Sequence, residues 1–252
     1  MNRRSFLIHF GLLGYLTPTV FAQSVQNTQT AFSTQLRTLA QSTLQDILQH
    51  PFLTRMMDGT LPKKAYITYV VQNIFYLQNY ERTLRNLAVR MTQTDHRQAL
   101  EKWADDTSKT IQWMTSMYAQ YAGKPFRASE HTRASVNLHY QEHQMKTSYS
   151  SCPLVAWAAL WPCFWLYYQI GLKVQQHTIT QGNPYAQWLA SYSFPEYKAR
   201  LDRSTRILND LATVEKSNQH REFATRAFLT SLEWRWYFFD AALPSIHWDK
   251  NH

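Results

Sequence analysis

Glycine is scarce in this chain, with 6 residues in 252, and no Asn-Gly pair separates two apolar runs. Tight β-hairpins commonly depend on such turns, so their absence argues against an antiparallel sheet. Apolar residues recur instead every three or four positions over long stretches, which is the spacing of one helix face. The sequence therefore predicts an all-α protein.

Runs of like charge are also missing, although the formal net charge is +9. The basic residues are scattered, with no block of five and no basic stripe interleaved with aromatic residues. Both of those features are typical of nucleic-acid-binding chains. We therefore expect no nucleic-acid partner.

Cysteine occurs only twice, as Cys152 and Cys163. If a helix begins near Pro153, the two thiols lie roughly 16 Å apart along one axis, whereas a disulfide needs Cα atoms within about 7 Å. We expect two free thiols, with Cys152 serving as a small residue at a helix start.

The first 22 residues have the composition of a secretory signal. Arg3 and Arg4 precede a short apolar stretch and a small-residue site that ends at Ala22. Paired arginines are typical of twin-arginine export, although an ordinary signal also begins with positive charge. Because the apolar stretch is shorter than the about 20 residues that span a bilayer, we expect cleavage, no stable membrane insertion and a periplasmic location. Residues 23–252 are then expected to form one domain.

Turn residues divide the rest of the chain into eight predicted helices. Asp58-Gly59-Thr60-Leu61-Pro62 supplies a turn, a capping hydroxyl and a proline suited to a first helical turn. Gly182-Asn183-Pro184 gives a second stop and restart. The predicted helices span 29–49, 62–91, 95–122, 129–147, 153–178, 183–192, 195–212 and 217–242.

One helix combines features that point to chemistry. Cys163 and Tyr167 are four residues apart and share a helix face, while Pro162 removes a backbone donor and displaces the carbonyl of Ala158. The expected bend opens space beside the sulfur. A free cysteine is nevertheless often a small buried hydrophobe, so this helix alone leaves both roles open.

Two further helices carry polar groups in apolar surroundings. Asn73 and Tyr76 lie three residues apart on one helix face. Glu233 stands within the aromatic run Trp234-Arg235-Trp236, and a carboxylate in such surroundings tends to have a raised pKa and can act as a general acid. A surface position or an ion pair with Arg235 is the alternative for Glu233.

Aromatic residues make up 15% of the chain and include nine tryptophans. Such rings either fill a core or line a pocket for a flat heteroaromatic ligand. Composition leaves both interpretations open.

Several motifs together resemble the TenA-type thiaminase II family, which has a heme-oxygenase-like all-α fold. The resemblance covers nearly all of residues 23–252. The matching residues are His50-Pro51-Phe52, Asp58 to Pro62, Gln72, Tyr76, Ala158 to Cys163, Trp165, Tyr167, Tyr168, Gly171, Asn183-Pro184-Tyr185, Trp188, Tyr192 and Glu233.

The resemblance implies hydrolysis at the methylene group of an aminopyrimidine, either aminomethylpyrimidine or thiamin itself, to give 4-amino-5-hydroxymethyl-2-methylpyrimidine for thiamin salvage. It implies a homotetramer and neither a metal nor an organic cofactor. Cys163 would be the nucleophile and Glu233 would protonate a ring nitrogen. Tyr76 and Tyr167 would hydrogen-bond near the reacting groups, and Tyr140 and Tyr192 would flank the ring.

Two departures from the family keep other functions open. Familiar catalytic members have an aspartate where this chain has Asn73, which can accept a hydrogen bond but cannot take a proton. Thiamin salvage by this family is also usually cytosolic, not exported. The alternative is therefore a non-catalytic periplasmic protein that binds a pyrimidine or related heteroaromatic ligand.

A third hypothesis is a non-heme iron enzyme of the same fold, which would need carboxylates and histidines on facing helices. His139, Glu142 and His143 form the one suggestive group.

Overall fold

A computed structural model of the protein describes residues 30–177, 179, 181–192 and 195–243. The export signal expected over residues 1–22 lies outside these residues. Within them the chain is helical, with a single short 3₁₀ turn at Ala128–Glu130 and no strand, which confirms the predicted all-α class. The helices are α1 Phe32–Leu39, α2 Gln41–Leu48, α3 Pro51–Met57, α4 Lys63–Ala88, α5 Thr94–Ala122, α6 Ser135–Ser148, α7 Pro153–Leu160, α8 Pro162–Gln176, α9 Ala186–Ala190, α10 Pro195–Val214 and α11 Asn218–Asp240.

Helix boundaries differ from the predicted ones where local chemistry interrupts the periodic pattern. The predicted helix over 29–49 is divided at Ala40 into α1 and α2. Helix α3 was not predicted; it begins at Pro51 and is capped by the His50 ring, whose Nδ1 accepts the Phe52 N–H at 3.1 Å. Proline suits the first helical position because that residue needs no N–H partner.

Helix α7 forms the centre of the core. All of its residues from Leu154 to Leu160 are buried, and it packs against α4, α6, α10 and α11. A helix that is apolar around its whole circumference must be covered on every side. The neighbouring helices therefore surround α7, and this arrangement fixes the position of α8, which follows it directly.

The two longest helices, α4 and α5, pack along one another. Helix α5 ends at Gly123, whose φ of 71° is a left-handed conformation that favours glycine. Together, α4 and α5 form one side of the space that α8 faces.

Asn183 joins two motifs that are more than a hundred residues apart in the chain. Its side-chain Nδ2 donates to the carbonyls of Met56 and Met57, at 3.0 and 2.8 Å, and its Oδ1 accepts the Tyr185 N–H at 2.8 Å. The Tyr185 hydroxyl donates in turn to the carbonyl of Leu61. The Asn183-Pro184-Tyr185 stretch therefore fastens the segment before α9 to the turn after α3.

In the part of the chain that the structure describes, no helix has both the length and the apolar character needed to cross a membrane.

Helix α8 meets the backbone of the segment after α9 at Gly171. A Cβ added at Gly171 would lie 2.2 Å from the carbonyl oxygen of Tyr192, far inside van der Waals contact. The close approach therefore requires glycine and sets the position of Tyr192 relative to α8.

We predict that Gly171→Ala destabilises the protein. Alanine is the better helix former by about 1 kcal/mol, so without the Tyr192 contact the substitution would be stabilising. Because the obstructing atom belongs to the backbone, we expect instead a loss of about 1–3 kcal/mol in the free energy of unfolding, measured by urea denaturation. Gly123→Ala is the reference for backbone strain without a steric clash: its Cβ would meet no atom within 4 Å, but its φ of 71° disfavours alanine, so we expect it to cost about 1–2 kcal/mol. Unchanged or increased stability of Gly171→Ala would show that the contact is not tight.

Candidate functional site

A cavity of about 110 Å³ lies between α4, α5, α8 and α10. Half of its lining residues are aromatic, and the polar groups include a thiol, an amide, two threonine hydroxyls and one guanidinium. Among the described residues the lining consists of Asn73, Tyr76, Leu77, Tyr80, Trp103, Thr107, Thr110, Met114, Cys163, Phe164, Tyr167, Tyr192, Tyr197 and Arg200.

Pro162 places Cys163 at this cavity by interrupting the helical hydrogen-bond ladder. Helix α7 ends at Leu160 and α8 starts at Pro162, and the Phe164 N–H donates to the Trp161 carbonyl at 2.9 Å instead of to the carbonyl four residues back. The predicted bend at the thiol is therefore confirmed as a break between two helices.

The carbonyls at the break bond to side chains from other helices. The Ala159 oxygen accepts from Ser231 Oγ at 2.8 Å and from Gln144 Nε2 at 3.4 Å, and the Leu160 oxygen accepts from the Tyr80 hydroxyl at 3.3 Å. Buried carbonyls need such partners. The break consequently anchors α4, α6 and α11 next to Cys163.

The Cys163 sulfur lies 2.8 Å from the Tyr76 hydroxyl oxygen. Gln144 Nε2 donates to the same oxygen at 3.1 Å, which leaves the phenolic proton free to be donated to sulfur. Burial raises the pKa of Tyr76 well above its ordinary value, so the phenol keeps its proton at neutral pH. The pair can share or relay a proton at the thiol.

Tyr167 and Tyr192 form the stacked wall of the cavity. Their ring centroids are 4.7 Å apart with an interplanar angle of 17°, and the Tyr167 hydroxyl is 3.3 Å from that of Tyr69. Burial raises the pKa of both Tyr167 and Tyr192. Both rings therefore remain neutral and present flat apolar surface.

Five of the seven site residues predicted from the sequence lie on the cavity wall: Cys163, Tyr76, Tyr167, Asn73 and Tyr192. Tyr140 is fully buried behind this wall, where its ring stacks on Tyr76 at a centroid distance of 5.0 Å. It supports Tyr76 instead of facing the cavity.

Glu233 lies outside the cavity, which corrects the prediction of a carboxylate enclosed by aromatic rings. Its side chain is exposed and borders a surface depression together with Asp46 and Tyr237. The alternative of a surface position, also derived from the sequence, describes it correctly.

Arg235 takes the interior position on α11. It is 1% exposed, its Nη2 is 3.8 Å from Cys163 Sγ, and its guanidinium carbon lies 4.5 Å from the centre of the Tyr76 ring. A guanidinium stays charged in proteins. The group buried next to the thiol is therefore a cation.

The spacing of the buried residues along α11 indicates that Arg235, and not Glu233, lies inside. The buried positions of α11 include Phe228, Ser231, Leu232, Arg235 and Phe239, each of which lies three or four residues from another of the set. A residue two positions from Arg235 points to nearly the opposite side of a helix. The periodicity thus places Arg235 inside and Glu233 outside.

Both cysteines are free, as predicted. Cys152 is 4% exposed and its Sγ lies 3.2 Å from Glu215 Oε2, which is also 3.0 Å from His220 Nδ1. Hydrogen bonds from the Ser217 N–H, Cys152 and His220 hold the pKa of Glu215 at about 2. These bonds satisfy the carboxylate and fix the corner between α10 and α11.

This group is the sole set of three potential metal ligands found among the described residues. His139 and Glu142 are exposed, and His143 instead lies 3.0 Å from Ser231 Oγ. The histidine and carboxylate group considered for iron does not converge in the described part of the chain.

Solved structures establish the class of fold. A TenA homologue from Pyrococcus furiosus matches with a TM-score of 0.76 at 20% identity, covering 84% of this chain and 100% of that one. A domain of unknown function with a heme oxygenase-like fold, from Shewanella denitrificans, matches with a TM-score of 0.65 at 15% identity and covers 83% and 91% of the two chains. The protein is a single domain with the heme-oxygenase-like all-α fold.

The sequence defines the family more narrowly. Residues 34–245 match the TENA/THI-4/PQQC family, and the chain belongs to it. It is similar to an aminopyrimidine aminohydrolase of Halalkalibacterium halodurans, with 24% identity over 226 residues that cover 88% of this chain and 99% of the relative.

A thiamine biosynthesis multifunctional protein, ThiED, of Corynebacterium glutamicum is 29% identical over 192 residues. The match covers 76% of this chain but only 24% of that protein. The chain thus spans about a quarter of the length of this larger relative.

We predict that native protein reacts with iodoacetamide at Cys163 before Cys152. Cys163 lines the cavity and is half-buried, whereas burial of Cys152 raises the pKa of its thiol and disfavours the reactive thiolate. Peptide mass spectrometry after timed labelling would give the site of modification. Cys163→Ser should remove the early product and Cys152→Ser should leave it, and faster labelling of Cys152 would contradict the assigned environments.

Proposed function

We propose that the protein hydrolyses an aminopyrimidine related to thiamin, with Cys163 as nucleophile. The observation that carries the proposal is the Cys163 sulfur on the wall of a small aromatic cavity, 2.8 Å from a phenol that can hold or relay its proton. Membership of the family and similarity to an aminopyrimidine aminohydrolase over most of the chain support the substrate class.

The proposed reaction begins when the thiol adds across a ring C=N bond of the pyrimidine. Sulfur bonds to the ring carbon, and the thiol proton passes to the ring nitrogen, with Tyr76 placed to relay it. Addition removes the aromaticity of the ring and prepares it to release a substituent.

The amino group on the exocyclic methylene, protonated to –NH₃⁺, then leaves as neutral ammonia with the electron pair of the broken C–N bond. Ring electrons move outward to form an exocyclic double bond. The oxygen of water bonds to the methylene carbon and gives up a proton. Sulfur then departs with the electrons of the C–S bond and takes back the proton from the ring nitrogen, which restores the aromatic ring. The net change is replacement of the amino group by hydroxyl, as the thiamin salvage reaction requires.

The proton steps use this chain's own groups and not Glu233. The lining phenols are protonated, because burial raises the pKa values of Tyr76, Tyr80, Tyr167 and Tyr192. The cavity walls contain no carboxylate among the described lining residues. Tyr76 is therefore the group best placed to carry the proton that a carboxylate would otherwise carry.

We predict that the protein converts aminomethylpyrimidine to hydroxymethylpyrimidine and that Cys163→Ser abolishes this conversion. Tyr76→Phe should reduce the rate by a factor on the order of 10²–10⁴, the usual contribution of a positioned proton carrier. Chromatographic detection of the product, with thiamin tested in parallel, is the measurement.

Glu233→Gln is the informative companion variant, because it tests the carboxylate role that the sequence first indicated. We expect near-normal turnover from it, since its side chain is exposed. Loss of activity in Glu233→Gln, with turnover retained in Cys163→Ser, would overturn the proposal.

A binding protein without catalysis is the second candidate. The amide of Asn73, instead of a carboxylate, on the cavity wall favours it, because an amide can recognise an amino group but cannot take its proton. Ligand binding without product release from any substrate tested would establish this candidate in place of the hydrolase.

The proposal also includes export to the periplasm and assembly as a homotetramer. Export is supported by the twin-arginine-like segment at residues 3–4 and the small-residue site at Ala22, and the tetramer by the family resemblance. Recovery of the protein with residues 1–22 still attached, and only in the cytoplasm, would contradict export, and a monomeric mass by light scattering would contradict the tetramer.

A further inference from the structure

Cys152, Glu215 and His220 bring three potential metal-binding atoms together at one point of the structure. Glu215 Oε2 lies 3.2 Å from Cys152 Sγ and 3.0 Å from His220 Nδ1, and all three atoms lie within 4.8 Å of one another. None of the three residues is among the described residues that line the cavity. The cluster is therefore separate from the chemistry proposed for Cys163.

The spacing of these atoms matches the coordination sphere of a zinc ion. Zinc binds thiolate sulfur at about 2.3 Å and imidazole nitrogen or carboxylate oxygen at about 2.0–2.2 Å, with tetrahedral angles. Such bonds separate sulfur from oxygen by about 3.5 Å and nitrogen from oxygen by about 3.3 Å. The observed separations of 3.2 and 3.0 Å are close to these values, so small side-chain shifts suffice for an ion to bind between the three atoms.

The surroundings of the cluster orient the carboxylate and the thiol for this role. The Ser217 N–H donates to Glu215 Oε1 at 2.7 Å, which leaves Oε2 directed at Cys152 and His220. Burial raises the pKa of the Cys152 thiol, whereas backbone N–H groups in the first turn of α7 act in the opposite direction. Because such N–H groups favour the charged form of the sulfur, they would stabilise a metal-bound thiolate.

No lysine or arginine of the described residues forms an ion pair with the Glu215 carboxylate, whose ion-pair partner is His220. Arg221 instead donates to the backbone carbonyls of Glu215 and Ala212. The side chains of Glu215 and His220 are 20% and 37% exposed. A cation can therefore enter from solvent, and a water molecule can complete the coordination.

We propose that Cys152, Glu215 and His220 bind one zinc ion, with water as the fourth ligand. A thiolate and an imidazole beside a carboxylate favour zinc over calcium and magnesium, which prefer oxygen ligands alone. On binding, the Cys152 thiol loses its proton to solvent and its sulfur bonds to the metal, while the neutral His220 ring binds through Nδ1 and keeps its proton on Nε2. The ion joins the start of α7 to the corner between α10 and α11, so its role is structural.

Titration of the reduced full-length protein with cobalt(II) and zinc tests the site. Cobalt(II) bound to a thiolate gives a charge-transfer band in the near ultraviolet, and zinc should remove that band at one ion per chain. Calorimetry in buffers of different ionisation enthalpy should show release of about one proton per ion, from the thiol. Absence of the band, or its removal by magnesium or calcium, overturns the proposal.

Single substitutions locate the ion. Cys152→Ser and His220→Gln should each weaken zinc binding by at least about 100-fold, because even the outer partners of a metal commonly contribute about 10–100-fold. Cys163→Ser and His139→Gln are matched controls, since they remove the other free thiol and an exposed histidine outside the cluster. A band that persists in Cys152→Ser, or that disappears in Cys163→Ser, overturns the assignment.

Thiol labelling of the unsubstituted protein decides the question even where a variant does not fold. Zinc should slow the reaction of Cys152 with iodoacetamide by at least about tenfold, because the metal occupies the sulfur lone pair that attacks the reagent. It should leave the labelling of Cys163 unchanged, as measured by peptide mass spectrometry. Equal labelling of Cys152 with and without zinc, or protection of Cys163 alone, would show that the three side chains only hydrogen-bond to one another.

Discussion

The missing backbone donor of Pro162 is the constraint on which the arrangement of the site depends. It removes the usual partner of the Ala158 carbonyl and ends the hydrogen-bond ladder of the central helix, and the next two carbonyls, of Ala159 and Leu160, accept from side chains at this break. Ser231, Gln144 and Tyr80 supply those side chains from three different helices. Three elements of the bundle are therefore held by polar bonds at one point, directly before Cys163. A purely apolar contact would define the positions of these helices less exactly, because packing alone is not directional.

This anchoring also explains how polar chemistry exists inside an aromatic core. Gln144 bonds both to the Ala159 carbonyl and to the Tyr76 hydroxyl, and Tyr76 contacts the sulfur. One side chain thus joins the helix break to the phenol next to the thiol. Core filling and pocket lining each account for part of the aromatic content, since Trp157 fills the core while Tyr167 and Tyr192 form a cavity wall.

The features that sequence reasoning located correctly are governed by local chemistry. The helical class follows from periodicity, the separation of Cys152 and Cys163 from helix geometry, and the break at Pro162 from the proline ring. The error at Glu233 came from reading residue composition around a carboxylate without following the helix face. The positions of Phe228, Ser231, Leu232 and Phe239 already indicate that Arg235 points inward. By contrast, the contribution of α5 and α10 to the cavity depends on how distant helices pack, and no short motif records it.

The contact between Gly171 and Tyr192 fixes the width of the cavity independently of side-chain packing. The contact between them joins one backbone directly to another, and the same helix that carries Gly171 carries Cys163 two turns earlier. The distance between the Cys163 sulfur and the Tyr192 ring is thus set through main-chain atoms, which deform less readily than side-chain rotamers. The width of the cavity next to Tyr192 is consequently set by the main chain. A residue larger than glycine at position 171 would displace Tyr192 and change that width.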